Sequence, residues 1–400
     1  MMRVVLLGGD LNAYSVAISF HAAFGVKSTA FCRYRCGITG VSSIIDVHIE
    51  PNILDDAVGT AALLSFAKGM SERPFLVPCG DWYVDFLERN RDALDEHYHF
   101  LIPPREVYAS VHDKASFYSL LEKATLPYPK TTVLSQEDLS LGHLLSIGEY
   151  PAVLKPSDSV AYYAHPFSEM QKVYFPKNPK EAMDISEKIY ASGYSGKLIL
   201  QERIGTKEEP AVSKTLTLFL DREGRVRRGA LGEALIEESA AGARGNYAAI
   251  LSRPPDALTC RLISFLERIG YIGIANFDLL TFKGKTYILE LNARQGRSCD
   301  YLRACGISLA QFLVDAIGKR MIETDLTSRI SLWHAVPFRA VVRRVSAENR
   351  ALLLSLRRRG RAVSPFAYEG ERLTLKRCLY LPVHAVRRTM ALKEERKKKA

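Results

Sequence analysis

The stretch that decides the fold runs from Ile272 to Ser298 and reads IGIANFDLLTFKGKTYILELNARQGRS. It contains two short apolar runs, Ile274–Leu280 and Thr286–Leu291, separated by a compact turn with Gly284 at its tip. Apolar and β-branched runs on either side of a glycine-containing turn are typical of a β-hairpin. The stretch therefore predicts two adjacent antiparallel strands.

Four polar residues of this hairpin predict a metal and anion site. Glu290 and Asn292 are two residues apart, so they share one face of their strand, and pairing of the strands brings Asp278 beside them. Two carboxylates and an amide oxygen suit Mg²⁺ that also binds substrate phosphates. Arg294, two residues further, can lie on the same side and bind phosphate or carboxylate. The alternative is a solvated hairpin with ordinary surface charges.

Length and composition restrict the class of protein. The 400 residues suggest two to four domains, and 47% hydrophobic residues are ample for a buried core. No apolar run reaches 18 residues and the N-terminus lacks a signal-peptide pattern. The seven cysteines, scattered along the chain, favour reduced thiols in a cytosolic protein. Cys32 and Cys36 are expected to be ordinary thiols, because no second metal-ligand pair lies near them.

The positive charge is concentrated at the end of the chain. The net charge is +11, but residues 331–400 hold 18 basic and 5 acidic residues, whereas residues 1–330 hold 37 and 39. Three interpretations stay open: a disordered solvated tail, contact with an anionic membrane, or attraction of an acidic UDP-linked precursor or nucleic acid. Apolar residues within 351–356 and 379–386 suggest amphipathic helices, which favour a peripheral membrane role over nucleic acid.

The first hundred residues have the pattern of a parallel α/β domain. An apolar strand ends in Gly8-Gly9-Asp10 and is followed by a helix over Asn12–Phe24. A second buried strand, Pro74–Cys79, ends in Gly80 and Asp81. Loops after such strands are where open α/β sheets place ligands, although a simple turn is the alternative. A short strand at His99–Ile102 is expected to complete this domain.

The middle of the chain contains two lysines at the ends of regular elements. Asp113 is expected to cap a helix over Ala115–Ala124, and Lys114 in its first turn is unfavourable for the helix dipole unless it binds an anion. Lys155 closes a short apolar strand and precedes a polar loop with Ser157. A solvated surface lysine is the alternative for Lys114. A strand near Val173–Phe175 and a helix over Pro179–Ser192 are predicted next.

The ordered set of motifs resembles the ATP-grasp superfamily. Its members place two lysines on ATP phosphates, hinge-strand residues on adenine and ribose, and acidic residues with an asparagine on two Mg²⁺ ions. The resemblance assigns the phosphates to Lys114 and Lys155. It assigns the hinge to Gln201, Glu202 and Ile204 within Leu-Gln-Glu-Arg-Ile. Asp278, Glu290 and Asn292 are then the metal ligands.

A narrower resemblance is to the D-aspartate ligases of bacterial peptidoglycan assembly. It is carried by LLGGDLNAYSVAISFHAAFG, VPCGDWYVDFL, DKASFYSLLEKATLPYPKT, GYSGKLILQERI, GNYAAIL, ANFDLL and ELNARQGRS. It implies that ATP activates the β-carboxylate of D-aspartate as an acyl phosphate. The ε-amine of the stem-peptide lysine of UDP-MurNAc-pentapeptide then attacks it. The loop over residues 156–167 lacks the glycines of many ATP-grasp flaps, so Ser157 and backbone N–H groups would act there instead.

Further roles follow from this chemistry. Arg294 is expected to stabilise the transferred phosphoryl group, and Arg297 is a weaker candidate for a substrate carboxylate. The loop over residues 237–247, with Arg244 and Asn246, could close over the site and exclude water. The two loops of the first domain supply weaker substrate or lid candidates, namely Gly9, Asp10, Gly80 and Asp81.

These inferences predict three regions and one leading function. They are an α/β domain over residues 1–105, an ATP-grasp domain over 106–330, and a basic C-terminal extension over 331–400. The ATP-grasp domain would comprise a small lobe over about 125–200 and a large lobe over about 201–330. The expected protein is a cytoplasmic ligase, with peripheral contact at the inner membrane face left open. Its partners are an amino acid and a muropeptide precursor, with no nucleic acid expected.

Two alternatives to this function remain at the level of sequence. The first is an ATP-grasp ligase for another amino acid or another amine acceptor, because the motifs of the ATP site do not distinguish these substrates. The second is a nucleotide-binding scaffold at the membrane without turnover.

Overall fold

The computed structural model describes residues 2–206, 208–238 and 246–399, with side chains described up to residue 392. The chain forms two compact units, each assembled from separated segments. Unit 1 comprises Met1–Pro103, Thr215–Asn276 and Ala293–Ala400, and unit 2 comprises Pro104–Lys214 and Phe277–Asn292. The division of the sequence at residues 105 and 330 stays a prediction.

Fifteen strands occur in the described residues. In chain order they are β1 (Val4–Leu7), β2 (Ser28–Cys32), β3 (Ile45–Ile49), β4 (Phe75–Pro78), β5 (Thr131–Leu134), β6 (Val153–Pro156), β7 (Leu198–Gln201), β8 (Val212–Leu220), β9 (Val226–Glu237), β10 (Tyr247–Arg253), β11 (Gly273–Phe282), β12 (Lys285–Asn292), β13 (Asp325–Leu326), β14 (Leu332–His334) and β15 (Ala362–Val363).

The same part of the chain contains sixteen α-helices and a 3₁₀ turn at Pro365–Ala367. The helices are α1 (Leu11–Phe24), α2 (Gly37–Gly40), α3 (Asp56–Ala67), α4 (Asp81–Arg89), α5 (Arg91–Asp95), α6 (Arg105–His112), α7 (Lys114–Lys123), α8 (Leu141–Leu145), α9 (Ser159–Tyr163), α10 (Pro179–Ala191), α11 (Ala257–Arg268), α12 (Tyr301–Ala304), α13 (Leu309–Ile317), α14 (Phe338–Val342), α15 (Ala347–Arg358) and α16 (Leu375–Lys399). None of them has the length and apolar character needed to cross a membrane.

A four-stranded parallel sheet with the order β3-β2-β1-β4 opens unit 1. Both faces of β1 are buried: Val4 and Leu6 lie in one hydrophobic cluster, and Val5 and Leu7 lie in another. Burial on two faces explains why β1 is a continuous apolar run. The predicted parallel α/β fold at the N-terminus is confirmed.

The turn between β1 and α1 is formed by residues with distinct conformational roles. Gly8 has φ 126°, which a residue with a side chain rarely adopts, and Asp10 accepts a hydrogen bond from the N–H of Asn12 at 3.0 Å. A Cβ atom on Gly9 would lie 2.6 Å from Cys32 Sγ. The sequence Gly-Gly-Asp therefore permits a close turn and caps the helix that follows.

A second, mostly antiparallel sheet has the strand order β12-β11-β8-β9-β10-β14-β15, with β13 paired to β9. The predicted hairpin is its β11–β12 pair. Lys283 and Gly284, between these strands, have φ values of 48° and 78°. A two-residue turn with both φ angles positive matches the right-handed twist of the strands. The hairpin predicted from the sequence is confirmed, with Gly284 in the turn.

Unit 2 contains a small antiparallel sheet with the order β5-β7-β6. Leu154 on β6 and Leu200 on β7 are fully buried with Ile189 and Tyr190 of α10. Lys155 on β6 alternates with Leu154, so its side chain leaves from the opposite face of the sheet. The apolar face therefore fixes the register that positions this lysine.

Two predicted strands and one predicted loop are wrong. His99 and Tyr174 each form only a single bridge, to Phe75 and Leu154. Pro103 and Pro176 follow these bridges, and proline lacks the N–H that would extend pairing. The polar loop after Lys155 contains α9, because Asp158 accepts from the N–H of Val160 at 2.8 Å and so caps a turn of helix.

The basic end of the chain, expected as an extension from residue 331, is folded into unit 1. Strands β14 and β15 continue the large sheet, and Leu353 and Leu356 of α15 are buried. Arg377 and Glu371 are each 1% exposed in their side chains and form an ion pair of 3.7 Å. Ser43 donates to Glu371 from its N–H at 2.9 Å. The described part of this region is thus packed against the N-terminal segment.

Candidate functional site

The three predicted metal ligands lie together in unit 2. Asp278 extends from β11, and Glu290 and Asn292 extend from β12. Asn292 Nδ2 donates to Asp278 Oδ2 across the hairpin at 3.2 Å. The alternation of residues on paired strands produces this arrangement, as the sequence predicted.

Glu290 is the electrostatic centre of this group. Burial alone would raise its pKa, but the positive charges of Lys114, Lys172 and Lys155 outweigh burial and hold the pKa well below its usual range. The carboxylate is therefore ionised at neutral pH. An ionised, cation-surrounded carboxylate is suited to bind a metal that arrives with a polyphosphate.

Lys114 begins α7 and reaches this carboxylate. Its Nζ lies 3.5 Å from Glu290 Oε2 and donates to Ser159 Oγ at 3.3 Å. The side chain is 11% exposed. Asp113 caps α7 through the N–H of Ser116 at 2.8 Å, as predicted. Lys114, in the first turn of α7, thus forms an ion pair with a carboxylate of another element, Glu290 on β12.

Lys155 is held by an aromatic residue that the sequence analysis did not select. Its Nζ donates to Tyr118 Oη at 3.1 Å and lies 5.6 Å from the centre of that ring. Tyr118 Oη in turn donates to the carbonyl of Leu289 at 2.6 Å. Burial lowers the pKa of Lys155 to about 8, while Glu290 acts in the opposite direction. Tyr118 therefore connects a phosphate-binding candidate to the strand that carries Glu290.

Ser157 makes contacts that organise the surrounding backbone. Its hydroxyl accepts from the N–H of Ala115 at 3.1 Å and donates to Asp113. Its own N–H donates to the carbonyl of Lys197 at 2.8 Å. These bonds join the start of α7 to the end of β6. Binding of ATP phosphate by Ser157 stays a prediction.

The predicted hinge lies at the end of β7. Gln201 is 2% exposed and its Nε2 donates to Thr131 Oγ1 at 2.8 Å. Glu202 Oε1 accepts from the N–H of Lys130 at 2.7 Å, and the N–H of Glu202 donates to the Lys130 carbonyl at 2.9 Å. Ile204 follows in the connection after β7. Contact with the base and ribose stays a prediction for all three hinge residues.

Arg294 and Asp81 form a second group, in unit 1. Arg294 Nη2 lies 2.7 Å from Asp81 Oδ2, and Nη1 donates to the carbonyl of Gln295 at 3.0 Å. Asp81 begins α4, and Gly80 precedes it as the N-cap. The loop after β4 thus binds the arginine that follows the hairpin.

Arg297 joins the other glycine loop of unit 1. It lies 3.4 Å from Asp10 through Nε and 2.8 Å from Glu238 through Nη1. Gly9 precedes Asp10 in the turn described above. Asn246 accepts from the N–H of Glu238 at 2.8 Å through its carbonyl oxygen. Arg244 lies outside the described residues.

Three functional candidates were missed at the level of sequence. Tyr118 lies four residues after Lys114, so helical spacing on α7 could have selected it. Lys172 lies two residues before Tyr174. Its positive charge lowers the pKa of Glu290, and only the tertiary fold brings the two residues near one another. Glu238 directly follows β9, and nothing in the sequence indicated its burial.

The oxygen-rich set on the hairpin fits Mg²⁺. Two carboxylates and one amide provide fewer ligands than the six that Mg²⁺ requires, so phosphate oxygens and water would complete the shell. Within residues 2–206, 208–238 and 246–399, no group of three or more His, Cys, Asp or Glu side chains is positioned to hold a metal. Binding of Mg²⁺ by Asp278, Glu290 and Asn292 stays a prediction.

Solved structures with low sequence identity share this fold. The biotin carboxylase domain of 2-oxoglutarate carboxylase from Hydrogenobacter thermophilus, solved with MgADP, ADP and bicarbonate, has a TM-score of 0.61 and 16% identity. The alignment covers 81% of this chain and 72% of that chain. N5-carboxyaminoimidazole ribonucleotide synthetase in complex with ADP has a TM-score of 0.57 and 15% identity, covering 83% and 81%. The fold is the ATP-grasp fold.

The sequence comparison defines the family. The class is that of ATP-grasp ligases, which form C–N bonds between carboxylates and amines. The chain is 30% identical over 347 residues to D-aspartate ligase from Enterococcus faecium strain Aus0004, covering 83% of this chain and 82% of that protein. The chain belongs to the D-aspartate ligase family, as the sequence motifs predicted. No protein-family model matches the sequence.

Proposed function

We propose that this protein is an ATP- and Mg²⁺-dependent D-aspartate ligase of peptidoglycan precursor synthesis. It would join the β-carboxylate of D-aspartate to the ε-amine of the stem-peptide lysine of UDP-MurNAc-pentapeptide. The observation that carries the proposal is the cluster of Lys114, Lys155 and Glu290 in unit 2, within a chain of this family. The cluster provides the charges that nucleotide and metal require.

The chemistry proceeds in two displacements. A carboxylate oxygen of the amino acid attacks the γ-phosphorus of ATP, and ADP leaves with the electrons of the broken bond. The lysine amine then attacks the acyl carbon of the acyl phosphate, phosphate leaves, and the amine loses a proton. Bound Mg²⁺ would supply charge neutralisation on the phosphate oxygens. Asp278, Glu290 and Asn292 would hold it.

The side chains of unit 2 perform the binding part of this reaction. When nucleotide and metal bind together, the ion pair between Lys114 and Glu290 would separate. Lys114 would then bind phosphate oxygens, and Glu290 would bind the metal. Lys155 would bind phosphate while Tyr118 fixes its position. Two anions must meet in the first displacement, so these cations lower its barrier.

The amino-acid substrate is tested by a panel. Purified protein is assayed for ADP release with ATP, Mg²⁺ and each of D-aspartate, L-aspartate, D-asparagine and D-glutamate, with and without UDP-MurNAc-pentapeptide. We expect release that requires D-aspartate and the precursor together. Release that depends on another amino acid, or on another amine acceptor, would assign the protein to the first alternative function. No release under any condition would favour the nucleotide-binding scaffold.

A second proposed property is peripheral contact with an anionic membrane. One side of α16 presents apolar residues at helical spacing, namely Leu375, Leu379, Val383, Val386 and Met390, which are 50–78% exposed. The sequence after residue 392 adds five basic and two acidic residues. An apolar helix face next to basic residues is typical of helices that bind anionic interfaces. This contact would place a cytoplasmic ligase at the inner membrane face.

Vesicle binding tests this contact. The full chain should sediment with vesicles that contain phosphatidylglycerol and less with phosphatidylcholine alone. The double variant Leu379→Glu/Val386→Glu should lose binding, whereas Met321→Glu, at a residue 94% exposed in another part of unit 1, should retain it. Equal binding by all three proteins, or dimerisation that the double variant abolishes, would contradict a membrane role.

A further inference from the structure

The corner between β6 and α9 is fixed to the junction between α6 and α7 within unit 2. The side chains of the two segments meet in three contacts, namely Ser157 with Asp113, Asp158 with His112, and Ser159 with Lys114. The last of these joins Lys114 Nζ to Ser159 Oγ at 3.3 Å. The N–H of Lys114 also donates to the carbonyl of Ser157 at 3.4 Å. Side-chain and backbone contacts therefore hold the corner against the start of α7.

Asp158 is the residue that gives the corner its shape. Its Oδ1 accepts from the N–H groups of Val160 at 2.8 Å and Ala161 at 3.1 Å, and so caps α9. The same oxygen lies 3.4 Å from His112 Nε2. Burial acts to raise the pKa of Asp158, but the hydrogen bonds from His112 and from α9 outweigh it and hold the pKa below its usual range. The carboxylate is therefore ionised at neutral pH, and its hydrogen bond to His112 is charge-assisted.

His112 is oriented by Tyr108, which lies one turn earlier on α6. The two rings stack with centres 5.0 Å apart and planes 30° apart. Tyr108 Oη lies 3.1 Å from His112 Nδ1. When this hydroxyl donates to Nδ1, the ring proton is on Nε2, the nitrogen that faces Asp158. Tyr108 is itself buried, so its ring gives His112 a fixed support in this orientation.

We infer that His112 is a positioning residue of the nucleotide site, an inference that rests on the proposed function of Lys114 as a phosphate-binding residue. His112 holds Asp158, Asp158 caps α9, and α9 presents Ser159 to Lys114. The loop over residues 156–167 contains no glycine, and these side-chain contacts give it a defined position. A long lysine side chain loses conformational freedom when it binds phosphate, and a partner that restricts it in advance lowers that cost.

Lys114 needs a lasting partner because its other contact is expected to change when nucleotide binds. Its ammonium group has three N–H donors, and both Glu290 and Ser159 lie within reach of it. The contact with Glu290 is replaced by one with phosphate, whereas the contact with Ser159 persists. Lys114 is then directed at the site with and without nucleotide. His112 thus affects the binding of phosphate without touching it.

Two amide variants of His112 test this role. Glutamine places its Nε2 near the position of the histidine Nε2, so His112→Gln can donate to Asp158, whereas the shorter side chain of His112→Asn does not reach it. We expect His112→Asn to bind a non-hydrolysable ATP analogue with Mg²⁺ about threefold to tenfold more weakly than the wild type, and His112→Gln to bind it like the wild type. Both variants remove the ring, so a role in packing alone would weaken binding equally in both. That result would overturn the inference.

A double-mutant cycle with Ser159→Ala tests the path of the effect. Because His112 acts through α9, His112→Asn should weaken nucleotide binding much less in a Ser159→Ala protein than in the wild type. Effects that simply add in the double variant would overturn the inference. His143→Ala replaces an exposed histidine of the same unit and should leave the affinity unchanged. An equal loss of affinity in His143→Ala and His112→Asn would contradict a specific role for His112.

Titration with the nucleotide analogue requires neither amino acid nor amine acceptor, so it separates this inference from the proposed function. The expected order of affinities in a protein that releases no ADP with D-aspartate and the precursor supports the inference, and only the proposed substrates fail. Absence of nucleotide binding by the wild type would overturn the role of His112.

Discussion

Lys114 Nζ lies 3.5 Å from Glu290 Oε2, so the residue predicted to bind phosphate and the residue predicted to bind metal form an ion pair. The two residues are far apart in sequence and meet because α7 packs beside β12. Both side chains are mostly buried, with exposures of 11% and 24%. Two buried opposite charges stabilise one another, and each is expected to find a new partner when Mg²⁺ and ATP bind.

Replacement of Glu290 by glutamine should abolish Mg²⁺-dependent ADP release. The amide keeps the shape but removes the charge that binds the metal, so we expect a loss of at least about 100-fold in kcat. Circular dichroism should show an unchanged fold. Glu187→Gln on the exposed side of α10 serves as the control and should retain full activity. Unaltered activity of Glu290→Gln would show that the assignment of the metal site is wrong.

Nucleotide affinity should decrease as pH rises above about 8. The pKa of Lys155 is lowered by burial to about 8, so the charge that binds phosphate is lost through this range. Fluorescent ATP-analogue titrations between pH 7 and 10 would measure the effect. The nucleotide affinity of Lys155→Arg should stay constant over this pH range, because a guanidinium group does not lose its proton there. A wild-type profile as flat as that of the variant would contradict the prediction.

The same pKa shift has a consequence for stability. In the unfolded chain Lys155 keeps its proton up to about its ordinary pKa of 10.5, whereas in the folded chain the pKa is about 8 and the proton is lost there. Between these values the unfolded state binds more protons, so this residue makes the free energy of unfolding rise with pH. Urea denaturation at pH 8 and 10 should show this increase in wild type relative to Lys155→Met. An equal pH dependence in both proteins would exclude this contribution.

Removal of the Tyr118 hydroxyl should weaken nucleotide binding without changing the packing. Tyr118→Phe keeps the ring but loses the hydrogen bonds to Lys155 and to the Leu289 carbonyl. We expect about a threefold to tenfold rise in KM for ATP and about 1 kcal/mol lower stability. Tyr128 stacks on Tyr118 with ring centres 5.4 Å apart, so Tyr128→Phe is the matched control. Identical kinetics of the two variants would argue against a role for the hydroxyl.

The buried pair of Glu371 and Arg377 should be essential for the stability of unit 1. Arg377→Met leaves the buried carboxylate without its cation, which typically costs about 3–5 kcal/mol. Thermal denaturation should show a clearly lower midpoint for this variant. Arg372→Met changes an exposed arginine of the same segment and should leave the midpoint close to that of the wild type. Equal midpoints would indicate that the pair does not hold the C-terminal region.

Much of the local structure follows from sequence because short-range physics determines it. The hairpin is encoded by two apolar runs and by Gly284, which accepts the positive φ of the turn. Asp113 is a helix cap as predicted, because its side chain bonds an N–H group three residues away. The strands predicted at His99–Ile102 and Val173–Phe175 were wrong. A strand forms only where a partner strand continues the pairing, and here the pairing stops at a single bridge.

The sequence alone determined the family, the ATP-grasp fold and the alternation that brings Asp278, Glu290 and Asn292 onto one hairpin. Strand periodicity and ordered motifs are properties of residues near one another in the chain, so they can be recognised from the sequence. Only the tertiary structure decided that Tyr118 holds Lys155, and that Arg388 of the C-terminal helix shares Glu238 with Arg297. These contacts join residues that are far apart in the chain. The packing of helices and strands brings them together, and a local sequence pattern does not indicate that packing.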